Sequence, residues 1–161
     1  MEGAHPMQSS RILYLTKAGV IAALYAVVTI AFAPMSYGPI QVRISEAFTV
    51  LPFLFPEAIP GLFVGCAIAN FFGEFGLLDV VFGSLSTLVA AFLSSRMETV
   101  FRASIPPVIV NMFVVGGYLS IIAKMPFLYT ALYVGVGEAI SCMGLGVPLA
   151  LLLLKRFPKR N

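Results

Sequence analysis

A carboxylate stands in the middle of the last apolar stretch of this chain. Glu138 lies eleven residues after Phe127, with no cation near it in sequence; that is about 16 Å along a helix rising about 1.5 Å per residue. If lipid surrounds such a segment, an ionisable side chain at its centre costs at least roughly 2.5 to 3.5 kcal/mol, so it needs a partner, a wet cavity or a ligand. Asn111 raises the same question in the preceding apolar stretch. Asn70, Asp79 and Glu46 sit at the edges of three others, Glu46 three residues after Arg43. Three carboxylates and two amides closing on one cavity would suit a ligand rich in hydrogen-bond donors: an amine, a guanidine-like edge or a purine-type lactam. Each also has a plainer reading. Glu46 and Arg43 can form a local ion pair, Asp79 can cap a helix start, Asn70 can cap a helix end, and Asn111 can bond a neighbouring helix.

Catalysis has little to work with. The chain holds no Gly-x-x-x-x-Gly-Lys-Ser/Thr loop, no Gly-x-Ser-x-Gly elbow and no His-Glu-x-x-His, so ATP hydrolysis by that route and the common hydrolytic chemistries are not expected. Cys66 and Cys142 lie far apart within apolar segments and read as small buried hydrophobes. No His or Cys cluster has ligand spacing, so neither a metal nor another cofactor is expected.

The elements that must position these groups are membrane helices. Only 11% of residues are charged and 60% are hydrophobic, against about 25% charged in a typical soluble domain. The first six residues, Met-Glu-Gly-Ala-His-Pro, read as a cloning scar ahead of a native start at Met7, and 7–161 as one membrane domain. The pattern predicts six spans. The first runs from Thr16 to Pro34 and ends at a Pro-Met-Ser-Tyr-Gly-Pro breaker. Prolines 52, 56 and 60 split the next apolar stretch into short spans from Ser45 to Phe55 and from Glu57 to Asn70, because proline breaks helix interiors. The fourth span is Leu78 to Ser95, followed by a polar connector from Arg96 to Ser104. Pro106 and Pro107 open a fifth span that reaches Ala123, and the last runs from Phe127 to Leu154.

With both termini in the cytoplasm, Arg11, Lys17, Arg96, Arg102 and the basic tail from Lys155 to Arg160 all fall on one side, as the positive-inside rule asks of a plasma-membrane protein. Glu46, Glu74 and Asp79 then fall at the outer ends of spans, and Glu57 at a cytoplasmic turn. Tyr37, Phe71, Phe72, Phe75, Tyr118, Tyr129 and Tyr133 gather in the outer region, where aromatics are normally enriched. On the first span Ala18, Ala22 and Ala26 recur every four residues, with Gly19 and Ala23 alongside. Such a stripe admits a close helix, either inside the bundle or from a partner.

Several segments together carry a family resemblance. They are Val42-Arg43-Ile44-Ser45-Glu46-Ala47, Leu51-Pro52, Pro56-Glu57-Ala58-Ile59-Pro60-Gly61-Leu62, Gly65-Cys66, Ala69-Asn70 and Leu77-Leu78-Asp79-Val80-Val81-Phe82-Gly83-Ser84. The chain from Arg11 onward resembles the QueT family of queuosine precursor transporters, substrate-binding S components of energy-coupling factor (ECF) transporters. The resemblance implies six helices with both termini inside and a vitamin-like molecule captured from outside. It also implies a membrane scaffold subunit with two cytoplasmic ATPases as partners, and transport by toppling of the S component. Nucleic acid has no part in it. By resemblance, Ala18, Ala22 and Ala26 dock the scaffold. The implied substrate is a 7-deazaguanine, the 7-aminomethyl precursor of queuosine or a close relative. One carboxylate would take its lactam N–H and exocyclic amine, and a second its ammonium. Glu138 and Asp79 are assigned these two roles, Asn70 and Asn111 the carbonyl and ring nitrogen, and Glu46 with Arg43 the lid side. The alternatives are a stand-alone transporter driven by protons through Glu138, an S component for another ligand, or a structural membrane protein.

Overall fold

A computed structural model describes residues 6–36, 42–73 and 76–157. The expectations for the leader up to residue 5, for Tyr37, Glu74 and Phe75, and for Lys159 and Arg160 lie outside the described residues. Among those described, every regular element is helical. Six helical segments follow one another: α1 (Pro6–Ala31, continued by a turn at Ala33–Ser36), α2 (Ile44–Phe53), α3 (Ala58–Phe71), α4 (Gly76–Ser95), α5 (Val100–Ala123) and α6 (Phe127–Arg156). Four of them, α1, α4, α5 and α6, are long and apolar enough to cross a membrane, and α2 and α3 are shorter.

Several boundaries differ from the sequence reading by a residue or more, and three of them are informative. The first helix begins ten residues before Thr16, since nothing between Pro6 and Thr16 breaks it. The fifth begins at Val100, inside the expected connector, because Thr99 caps it: its Oγ1 accepts from the Arg102 amide at 3.2 Å. An Arg102–Glu98 ion pair braces the same turn. The last helix runs to Arg156, with Lys155 and Arg156 in its final turn, where cations complement the helix dipole.

The two short helices are split as the prolines require. Pro60 sits in the first turn of α3, where its missing N–H costs nothing. Pro52 lies near the end of α2, which is wound as a 3-10 helix over all ten residues. At a rise of about 2.0 Å per residue, α2 reaches about 20 Å where an α-helix of that length would reach about 15 Å. It is also the innermost element. Ser45, Glu46, Ala47, Thr49, Val50, Leu51, Pro52 and Phe53 are buried, and α1, α3, α4 and α6 all touch it.

The outer surface carries the large apolar side chains, among them Leu15, Val27, Phe113, Ile121, Leu128 and Leu152, while Thr29, Ser45, Thr49, Thr87, Ser94 and Ser141 are fully buried. Water would favour the reverse, whereas a bilayer leaves interhelical packing to small residues and hydrogen bonds. The α1–α3 contact shows how. Ala18, Ala22 and Ala26 are buried. A Cβ added to Gly61 would stand 2.7 Å from the Ala18 carbonyl oxygen, and one on Gly65 would stand 2.7 Å from that of Ala22. Within the bundle the stripe is used for packing, with Ala18 and Ala22 directly against α3. Gly19 and Ala23 face outward instead, Gly19 with no atom within 4 Å of an added Cβ.

Lys17, Glu57, Arg96 and Phe157 line one recess of about 470 Å³, which places Lys17 of α1, the start of α3, the end of α4 and the end of α6 at the same end of the bundle. Lys17 pairs with Glu57 at 3.0 Å. Partial burial pushes the Glu57 carboxyl up, but the backbone bond at the start of α3 and the Lys17 ammonium outweigh it and hold it below the usual carboxylate range. The pair therefore stabilises above the unfolded value, roughly 4.3, and that contribution is lost as pH falls through the lower folded value.

Gly65→Leu should lower stability by about 1–3 kcal/mol by overpacking the α1–α3 contact, whereas Gly19→Leu on the outward face of α1 should leave it unchanged. Thermal unfolding in detergent reads both, and equal midpoints would contradict the packing described.

Candidate functional site

The buried polar side chains form two groups linked by α2. The first is built on Arg43, the residue that precedes α2 in extended conformation. Arg43 is 5% exposed and Asp79 0%, so neither charge is hydrated and each needs protein partners. Arg43 Nη2 lies 3.3 Å from Asp79 Oδ2, Nη1 donates to Asn70 Oδ1 at 3.0 Å, and Nε donates to the Ser36 carbonyl at 3.3 Å. Tyr118, on α5, donates its hydroxyl to Asp79 Oδ1. Asn70 Nδ2 donates to the Asp79 carbonyl at 2.9 Å.

Local backbone makes room for this. Asp79 opens a π-helical turn, Asp79–Gly83, within α4, a local widening often found at functional sites. A Cβ on Gly83 would stand 2.5 Å from Asn70 Nδ2 and 3.2 Å from Asp79 Oδ1, so glycine is what admits the Asn70 amide. The group is internally matched, one cation to one anion, with the amide between them.

The second group lies one turn along α2. In a 3-10 helix residues three apart eclipse, which lines up Arg43, Glu46 and Thr49. Tyr25, fully buried on α1, donates its hydroxyl to Glu46 Oε1. Glu138 Oε1 accepts from Asn111 Nδ2 at 2.9 Å, and Asn111 Oδ1 accepts from Ser86 Oγ at 2.8 Å. Thr49 Oγ1 donates to the Glu46 carbonyl at 2.6 Å. A carboxylate oxygen of Glu46, one of Glu138 and the Cys142 sulfur all lie within 4.8 Å of one another. Cys142 Sγ is 3.5 Å from Glu138 Oε2 and 3.4 Å from the Glu46 carbonyl. A second π-helical turn, Ile140–Gly146, follows Glu138 in α6. An added Cβ on its Gly146 would stand 2.8 Å from the Ala47 carbonyl oxygen, so α6 lies directly on α2 there.

The six expected site residues are thus all buried, but they fall into two sets. Arg43, Asn70 and Asp79 satisfy one another; Glu46, Asn111 and Glu138 form the other set. The ion pair of Arg43 is with Asp79 on α4, rather than the local one with Glu46. Asn70 bonds across to α4, and the backbone N–H that caps α3 belongs to Phe72. Of the outer aromatics, Tyr118 reaches the polar interior, while Phe71, Phe72, Tyr129 and Tyr133 are exposed. Tyr25, Ser86 and Cys142 were missed as site residues. Tyr25 and Thr29 continue the Ala18–Ala22 stripe at helical spacing, and Cys142 follows Glu138 by four on one helix face; Ser86 left no signal.

Comparison with known proteins places this geometry. A family model described as QueT transporter matches residues 15–155. The queuosine precursor transporter QueT of Lactococcus lactis subsp. cremoris is 30% identical over 151 residues, an alignment covering 84% of this chain and 89% of that protein. No solved structure matches.

Arg43→Met should destabilise the protein by about 3–5 kcal/mol, because it strands the Asp79 carboxylate in an apolar setting. Adding Asp79→Asn should recover much of that loss, since the remaining groups are neutral. A double variant no more stable in thermal unfolding than Arg43→Met alone would show that the pair is not what holds these helices.

Proposed function

The chain belongs to the QueT transporter family, and from that premise we propose that it is the substrate-capturing S component of an ECF-type uptake transporter. It spans the plasma membrane six times with both termini in the cytoplasm. It takes a queuosine precursor, 7-aminomethyl-7-deazaguanine or a close relative, from the extracellular side. Delivery then depends on a scaffold membrane subunit and two cytoplasmic ATPases.

The observation that carries this reading is the family match over residues 15–155, together with a buried polar interior whose second group keeps carboxylates facing one another. Four long and two short apolar helices suit six spans. The shared recess puts the basic residues Lys17 and Arg96 beside the end of α6, in keeping with a cytoplasmic face. The chain has no phosphate-binding loop of its own, which suits dependence on separate ATPases. Since α3 covers Ala18 and Ala22 and Ala26 is buried with them, scaffold docking along α1 falls to its outward side, where Gly19 and Ala23 leave a shallow track.

In this reading Glu46, Glu138 and Asn111 meet the ligand. Asp79, Asn70 and Arg43 hold the start of α2 beside it, and Asp79 is not left to pair with a ligand group. Titration of the detergent-purified protein with 7-aminomethyl-7-deazaguanine, with guanine, riboflavin and thiamine as controls, should show selective binding between nanomolar and low micromolar. No binding by folded protein would sink the substrate. Uptake in cells that persists without any ATPase partner would sink the S-component role. Glu138→Gln should weaken binding about tenfold or more, the loss of one charge-assisted hydrogen bond; unchanged affinity would remove Glu138 from the site.

A further inference from the structure

We propose that Glu46 and Glu138 form one seat for a single cationic group, the primary ammonium of the substrate, and that this seat makes the protein choose an amine-bearing deazaguanine over a neutral one. This rests on the deazaguanine reading above.

Geometry comes first. Glu46 is 1% exposed and Glu138 5%, on different helices, yet a carboxylate oxygen of each lies within 4.8 Å of the other. Two carboxylates that close cannot stand at the separate donor edges of a bicyclic ligand, one at the lactam and one at the far substituent. They converge on one group. Glu46 Oε2 is buried and has no hydrogen-bond partner among the described residues, so the pair retains an unused acceptor. A primary ammonium brings three donors to such a point.

Charge gives the same answer. Among the described residues, the side chains that bond these two glutamates are Tyr25 from α1, Asn111 from α5 and Cys142 from α6, with Thr49 of α2 on the Glu46 carbonyl, none of them a cation. Arg43, three residues before Glu46, is matched to Asp79. Among the described residues one buried cation, Arg43, then stands against three buried carboxyls, those of Glu46, Asp79 and Glu138; an excess of that kind in an apolar interior is costly, and a cationic ligand supplies what is missing. A metal ion fits less well. Of the three groups against the Cys142 sulfur, the Glu46 carbonyl and a Glu138 carboxylate oxygen accept, and Thr49 Oγ1 already donates to the Glu46 carbonyl, so the sulfur is a donating thiol, whereas a metal ligand is the thiolate.

The test compares 7-aminomethyl-7-deazaguanine with its neutral 7-cyano counterpart by calorimetric titration of the purified full chain. The amine should bind about 100-fold tighter or more, as two charge-assisted contacts allow. Glu46→Gln and Glu138→Gln should each shrink that ratio about tenfold, while Leu152→Val on the outward surface of α6 leaves it intact. The ratio reports on the seat itself, because a variant that merely loosens the fold weakens both ligands alike. Equal binding of amine and nitrile by the wild type would overturn the inference and leave the deazaguanine reading standing. Binding of neither would overturn both. Stoichiometric zinc retained by the wild type and lost in Glu138→Gln would assign the seat to a metal instead.

Discussion

A guanidinium inside an apolar bundle must find its counter-charge there, and for Arg43 that counter-charge is Asp79 on a different helix. Much of the interior follows from this pairing. Arg43 is the residue at which α2 begins, so fixing its head group fixes the register of the helix behind it. The 3-10 repeat then carries Glu46 one turn further in, against Tyr25 and beside Glu138 and Cys142. A buried pair of this kind roughly breaks even against well-packed apolar residues. Its value in this protein is positional: it decides which side chains α2 presents, and at what depth.

Helices can come close enough for such pairs only if their contact faces are bare. Gly61 and Gly65 accept the carbonyls of Ala18 and Ala22, Gly146 accepts that of Ala47, and Gly83 accepts the Asn70 amide. Each contact is closer than a Cβ would permit, and each borders a buried polar group or the helix that carries one. In lipid there is little hydrophobic drive between helices, so close packing and hydrogen bonds must hold them. Small residues thus serve twice. They let backbones approach, and they bring short polar side chains such as those of Ser86, Thr49 and Asn111 within reach of a partner.

The helix pattern was largely legible in the chain because proline, lipid-length apolar runs and basic clusters are local signals. The split between α2 and α3 followed from Pro52, Pro56 and Pro60, and the six candidate polar residues are all buried. What sequence could not supply was partnership. Arg43 has Glu46 three residues away and Asp79 thirty-six away, and only the fold brings the second of these into contact. The Ala18–Ala22–Ala26 stripe had two readings, docking and packing, and only the position of α3 shows the packing. Tyr25 drew no attention because a tyrosine in an apolar helix is ordinary until a carboxylate is seen beneath it. The 3-10 winding of α2 was equally hidden.

The two polar groups differ in a way that bears on ligand capture. The first is matched within itself: cation, anion and amide meet, and such a network adds rigidity. Among the described residues, the second brings two carboxylates together with hydroxyl, amide and thiol donors but no cation, and leaves Glu46 Oε2 without a partner. That arrangement is unfavourable in the empty protein, and natural binding sites commonly carry such a local cost in stability. A ligand that supplies the missing donors binds the folded state alone and returns stability in proportion to its affinity. A closed cluster beside an open one, joined by a single helix turn, therefore gives a rigid frame and a receptive floor from the same ten-residue element.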